Sequence, residues 1–376
     1  MSSIPTIAPK RVRLTAIFRH LLCATLIATG PTLLRGSVGA DEPASPPAAP
    51  TYSLPDDPRE MLQLTPEMLA FFDARVHRHA SLETRLDEIS DAILGERGLH
   101  FRYVADGVWD VRETFRRRAG NCVAYSMLIV AVARAYGIPA KFNEVQIDPR
   151  WSRLGSIVLE SRHLNVRVES GDGGYELDLI MPDDLRTSRR SSTVVSDERA
   201  WASAYTNAGV YRLAAGDRRG AFTLLERAVA IDPTFGGAWT NLGCAHLLSG
   251  ERELASLCFK RALANDPRTM SALSGLARLE RRAGRIAEAE RLERRVRNYR
   301  ERNPYYLLAV ARDELESGRP EAARRYLARA IWLKRDEPEF YETMIEVSRQ
   351  LGAEREANRW ARRLNDARDA IAAVAR

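Results

Sequence analysis

Lysine is almost missing from this chain. Of its 57 basic residues only Lys10, Lys141, Lys260 and Lys334 are lysines, which leaves 53 arginines. A bias spread along the whole chain reads as codon composition, and no basic stripe interleaved with aromatics accompanies the net charge of +7. That argues against a nucleic-acid partner. The four cysteines and six histidines show no zinc-ligand spacing, and no glycine loop of the phosphate-cradling type occurs, so neither a metal nor a cofactor is expected. Outside one N-terminal stretch no apolar run is long enough to span a bilayer. What remains is an ordinary globular composition, 45% hydrophobic and 28% charged.

The N-terminal stretch has the succession of a secretory leader. Lys10, Arg11, Arg13 and Arg19 precede "LLCATLIATGPTLL", and "SVGA" then ends at Ala40. Gly30 and Pro31 interrupt the apolar run, which reads as a cleavable signal over residues 1–40 and not as an anchor. Residues 41–57 form a Pro/Ala-rich linker. A periplasmic or secreted protein is expected, with no membrane span after cleavage. Cleavage leaves Cys122, Cys244 and Cys258, an odd number, so at least one is unpaired within the chain. Cys244 and Cys258 are at matched heights on two antiparallel helices and are candidates for a disulfide.

The second half is periodic. Gly216, Gly250, Gly284, Gly318 and Gly352 recur every 34 residues, each followed five residues later by an alanine, from Ala221 to Ala357. The period and the paired small residues resemble the tetratricopeptide repeat, a helix–turn–helix unit that stacks into a superhelix. Five repeats with a C-terminal capping helix are expected over residues 199–376. The resemblance puts Asn207 and Asn241 on the groove side, where their amides would pair with an extended peptide; a helix-surface role is the alternative. Arg278, Arg281, Arg282 and Arg312 fall near the same face and would suit an acidic partner.

Residues 58–182 differ: helical stretches come first, then the strand-like runs "AKFNEVQI", "HLNVRV" and "YELDLI". A polar linker over 183–198 is expected after them. Between the helices and the strands lies "GNCVAYSMLIVAVARAYGIP". Val123 to Tyr136 is apolar nearly all round and ends at Gly137 and Pro139, so it reads as a buried helix with Cys122 at its start. Free N–H groups and the helix dipole there favour a thiolate. The turn "ESGDGG" predicts a hairpin. A four-residue loop pairs Val168 with Tyr175 and Val166 with Leu177. It thereby collects the apolar residues on one face and places Asp178 opposite Asn165, diagonal to His163.

The three motifs around Cys122, His163 and Asp178 resemble those of bacterial members of the transglutaminase-like superfamily. The resemblance implies a papain-like α+β domain, a cysteine-bearing helix packed on an antiparallel sheet, followed by the all-α repeat superhelix. It also implies a triad in which Cys122 is the nucleophile, His163 the base and Asp178 its orienting partner. Tyr103 and Trp109 are both left open as second oxyanion donors. The implied function is cysteine-dependent amide hydrolysis or acyl transfer on a peptide or protein recruited by the repeats. The alternative is a cell-envelope interaction scaffold with an inactive first domain.

Overall fold

The computed structural model describes residues 10–11, 27–29, 52, 54–154, 157–171, 173–179 and 189–374. The leader and linker expected over residues 1–57 lie largely outside these residues. The exceptions are two short strands, β1 (Lys10–Arg11) and β2 (Ile27–Thr29), Tyr52, and the segment from Leu54 onward. Contacts divide the chain into two units. One runs to Ala272 and holds the α+β domain and the first two helix pairs; the other starts at Leu273.

In the first unit each early helix starts at a side-chain cap. Thr65 accepts from the N–H of Met68 at the head of α1 (Pro66–Asp73), where Pro66 supplies a fixed φ. Ser81 caps α2 (Leu82–Leu94), which buries Leu86, Ile89, Ala92 and Ile93. Strand β3 (Arg102–Tyr103) follows. Asp110 then caps α3 (Val111–Arg117), which ends at Arg118 in a left-handed conformation. The next strand, β4 (Ala119–Gly120), pairs with β3 and delivers the chain to α4 (Cys122–Ala135). Every residue from Cys122 to Ala133 is buried. This explains a sequence without a polar stripe, since a helix enclosed on all sides needs none.

The sheet runs in the order β1, β7 (Tyr175–Leu177), β6 (Ile157–Val168), β5 (Ala140–Leu154), β8 (Arg189–Val195), with β2 on β6. Its long members are β5 (Ala140–Leu154) and β6 (Ile157–Val168), antiparallel with Asn143 opposite Asn165 and Val145 opposite His163. The short strand β7 (Tyr175–Leu177) pairs with β6 in the expected register: Val168 meets Tyr175, Arg167 meets Glu176 and Val166 meets Leu177. Leu164, Val166, Val168, Tyr175, Leu177 and Leu179 join one core cluster with α4.

Two expectations are corrected here. The stretch 183–198 is not all linker: residues 189–195 form β8 (Arg189–Val195), antiparallel to β5. The β-branched Thr193, Val194 and Val195 suit a strand. Nor does the α+β domain stop before the repeats. Helix α5 (Asp197–Ala214) is buried along most of its length, and its Ala200, Ala204 and Ala208 belong to the same core as α4. Arg134 near the end of α4 reaches Asp197 at 2.6 and 2.8 Å, and the Tyr211 hydroxyl donates to Ala105 O at 2.8 Å.

Helix α6 (Arg218–Ile231) completes the first repeat; α7 (Gly236–Leu248) and α8 (Arg252–Asn265) form the second. Helix α9 (Met270–Arg282) runs across the boundary between the units. In the second unit follow α10 (Ile286–Arg300), α11 (Pro304–Glu316), α12 (Pro320–Leu333), α13 (Pro338–Gln350) and α14 (Glu354–Val374). The five periodic glycines have φ between 69° and 83°, the left-handed turn conformation expected of them. The capping helix is not a separate element: α14 continues the second helix of the fifth repeat without a break. No helix among the described residues is long and apolar enough to cross a membrane.

Cys244 and Cys258, the candidates for a disulfide, are both buried and are not disulfide-bonded. It is Gly243 whose added Cβ would lie 3.2 Å from Cys258 Cβ, and 2.8 Å from the Phe259 ring.

Candidate active site

Three local structures set the site. The first is the entry to α4. Asn121 is extended, and its Oδ1 accepts from the N–H groups of Val123 at 3.0 Å and Ala124 at 3.1 Å. This cap places Cys122 at the first helical position, where the dipole is most positive. The Asn121 backbone N–H donates to Gly107 O at 2.9 Å, and the Val104 N–H to Gly120 O at 3.1 Å, so the loop before α3 is tied to the helix entry. The second is β6, which carries His163, and the third is the end of β7, which leads directly to Asp178.

His163 Nε2 lies 2.7 Å from Asp178 Oδ2. His163 is buried, 1% exposed, whereas the Asp178 side chain keeps 14%. The other ring nitrogen, Nδ1, makes no well-aligned hydrogen bond, yet the Cys122 thiol is near enough to act on the ring and favours its protonated form. Burial by itself pushes the imidazole down. The carboxylate of Asp178 outweighs it, and together with the thiol raises His163 to about 10. The structure therefore brings the three expected residues together: His163 touches Asp178, and Cys122 is close enough to act on the ring.

A second polar layer stands behind Asp178. Asn165 Nδ2 donates to the same Oδ2 at 3.2 Å, and Asn143 Nδ2 donates to Asn165 Oδ1 at 2.7 Å. Both asparagines are 1% exposed. The predicted hairpin put Asn165 opposite Asp178. Asn143 was missed, because it sits in a strand run, "AKFNEVQI", that carries other polar residues at Lys141, Glu144 and Gln146. Tyr125, one turn into α4, is fully enclosed; burial and then the charge of Asp178 both oppose its ionisation.

Of the two oxyanion candidates, Tyr103 sits in register with Gly120, two residues before Cys122, while the ring of Trp109 is covered by the Arg117 guanidinium at 4.6 Å. Asn207 and Asn241 do lie on the first helices of their repeats, but both are fully buried. Among the repeat arginines, Arg281 is bound by Glu293, and Arg312 by Glu339 at 2.9 Å. Among the described residues no cluster of histidine, cysteine or carboxylates could hold a metal ion.

A cysteine at the start of a buried helix, facing a strand histidine on an antiparallel sheet, is the arrangement of a papain-like α+β domain. Residues 76–213 match the family model of the transglutaminase-like superfamily core, and residues 236–269 match that of the tetratricopeptide repeat; the chain thus carries a transglutaminase-like core domain followed by tetratricopeptide repeats. The first match reaches through α5, the helix that shares the core of α4. Similar solved structures include the crystal structure of MamA, 16% identical, covering 44% of this chain and 96% of that one with a TM-score of 0.33. Pseudomonas aeruginosa pilF is 22% identical, covering 46% and 77% with a TM-score of 0.37. The Cut9–Hcn1 hetero-tetramer of APC/C is 17% identical, covering 42% and 32% with a TM-score of 0.34. No curated protein matches the chain.

Proposed function

We propose that this is an exported protein whose first domain uses Cys122, His163 and Asp178 to cleave or exchange an amide bond in a peptide or protein recruited by the repeats. The observation that carries the reading is the 2.7 Å contact of His163 with Asp178, in a ring on which the Cys122 thiol also acts. Export rests on the leader over residues 1–40.

The chemistry follows from the order thiol, ring, carboxylate. Cys122 gives its proton to Nδ1 of His163, and Asp178 balances the charge of the imidazolium. The thiolate at the head of α4 attacks the amide carbon; a C–S bond forms and the carbonyl electron pair moves to oxygen. The backbone N–H of Cys122 is one donor to that oxyanion. The tetrahedral centre collapses, the C–N bond breaks, and His163 delivers its proton to the leaving nitrogen. A thioester remains. Water, deprotonated by His163, adds to the thioester carbon; the C–S bond breaks, the acyl group leaves as a carboxylic acid and His163 returns the proton to Cys122, whereas a primary amine in water's place yields a new amide.

The burial of the site supports a second reading. Cys122 and His163 are each 1% exposed, as suits a repeat scaffold whose first domain does no chemistry. Treatment of the folded protein with a peptide electrophile separates the two. Capture of Cys122 that disappears in Cys122→Ala and falls in His163→Ala supports the enzyme. Capture only after unfolding supports the scaffold.

A further inference from the structure

The geometry points to Asn143 as a positioning residue that sets, through Asn165, the direction in which Asp178 is held against His163. This deepens the triad reading and rests on it.

Asparagine amides have a donor end and an acceptor end of nearly the same shape, so a buried asparagine needs a neighbour to decide its orientation. Asn165 has two neighbours of opposite demand. Asp178 Oδ2 accepts, and receives Asn165 Nδ2 at 3.2 Å. Asn143 meets Asn165 Oδ1 with its own Nδ2 at 2.7 Å. Donation therefore runs one way, from Asn143 to Asn165 to Asp178, and His163 approaches the same carboxylate oxygen from the other side at 2.7 Å. Turning the Asn165 amide over would set its oxygen against the carboxylate and its N–H groups against those of Asn143. Asp178, which can only accept, opposes that state, and in its present orientation the Asn143 N–H opposes it from the other side.

Asn143 is well placed to act as the fixed end. Its strand is paired on both sides, with Asn165 across from it on β6 and Val194 on β8. Its own Oδ1 makes no hydrogen bond. A residue kept only to fill the sheet would be better satisfied as an apolar side chain, because a buried unpaired carbonyl disfavours the fold. The position thus supplies one directed N–H at the expense of an unsatisfied oxygen. The charged or titratable groups acting on the ring are Asp178 and Cys122, and Tyr125 acts on Asp178 from α4.

The test uses the full chain and the alkylation rate of Cys122 by iodoacetamide, read by mass spectrometry at about pH 6 and at about pH 9, either side of the ordinary thiol range. The quantity of interest is the ratio of the two rates. General loosening around a buried thiol speeds labelling at both values and leaves the ratio alone. Loss of the relay removes the imidazolium that supports the thiolate at low pH, and lowers the ratio. Asn143→Leu, of similar volume without a donor, is expected to lower it by about tenfold or more. Asn143→Ser, which keeps an O–H donor, is expected to recover much of it. Should the leucine variant not fold, Asn143→Ala carries the same comparison. A wild-type ratio that is high and unchanged in the donor-less variants overturns the relay while leaving the triad standing. So does a serine variant no better than leucine or alanine. A wild-type ratio already as low as that of a free thiol overturns the triad reading itself, and the relay with it.

Discussion

His163 on β6 and Asp178, one residue past the end of β7, stand with 2.7 Å between Nε2 and Oδ2, and the carboxylate keeps the ring's charge in a place where burial alone would remove it. Substituting Asp178→Asn leaves a hydrogen-bond acceptor and removes the charge. Burial then dominates, and the imidazole becomes neutral at lower pH. Nuclear magnetic resonance of labelled histidine should show the His163 transition moving down in the variant. Amide turnover should fall by roughly 10²–10⁴, the range for losing a positioned acid–base group.

The same pair makes stability depend on pH. The folded-state value of His163 is raised above that of the unfolded chain, so its contribution is complete below about 6.5 and is lost as pH rises through about 10. The urea midpoint of the first domain should decline across this window in wild type. It should decline less in Asp178→Asn. An equal slope in both proteins would show that other groups set the trend.

Among the cysteines of the described residues, Cys122 should be the one open to selective chemistry, because His163 stands beside it. All three are buried, and burial pushes Cys258 up to about 11. Peptide mapping under non-reducing conditions should recover Cys122, Cys244 and Cys258 with no disulfide among them. Alkylation of the native protein near neutral pH should mark Cys122 first. A recovered Cys244–Cys258 disulfide would refute the packing described for that repeat.

The second repeat depends on the close approach of its two helices. A Cβ added at Gly243 would meet the Phe259 ring at 2.8 Å. Gly243→Ala should therefore destabilise by about 1–3 kcal/mol, the usual cost of overpacking a filled interface. Thermal unfolding of the full chain would register it, and an unchanged transition would mean that the ring turns aside freely.

Much of this architecture was written in short-range pattern. The 34-residue glycines announced the repeats because each marks a left-handed turn. The β6–β7 register was legible because a tight turn fixes pairing and a slip of one residue would turn Val166 and Leu177 away from the core. That register alone set Asp178 next to His163. Asn143 was hidden because β5 reaches β6 through a long hairpin whose register shifts between Val145 and Arg150, so its partner could not be counted from the loop. β8 was hidden because an edge strand tolerates arginine and serine, and its residues 189–192 read as polar linker. The double duty of α5, repeat helix and part of the domain core, left no mark beyond its small residues at 200, 204 and 208.

The central claim is that Cys122 and His163 act as one unit, and the alkylation rate of Cys122 against pH, in wild type and in His163→Ala, tests it most directly. With the pair intact, wild type should react well below the free-thiol value of about 8.5, and His163→Ala should move the profile up toward that value. Coincident profiles centred near about 8.5 in both proteins would contradict the account and leave the first domain as a fold without its chemistry.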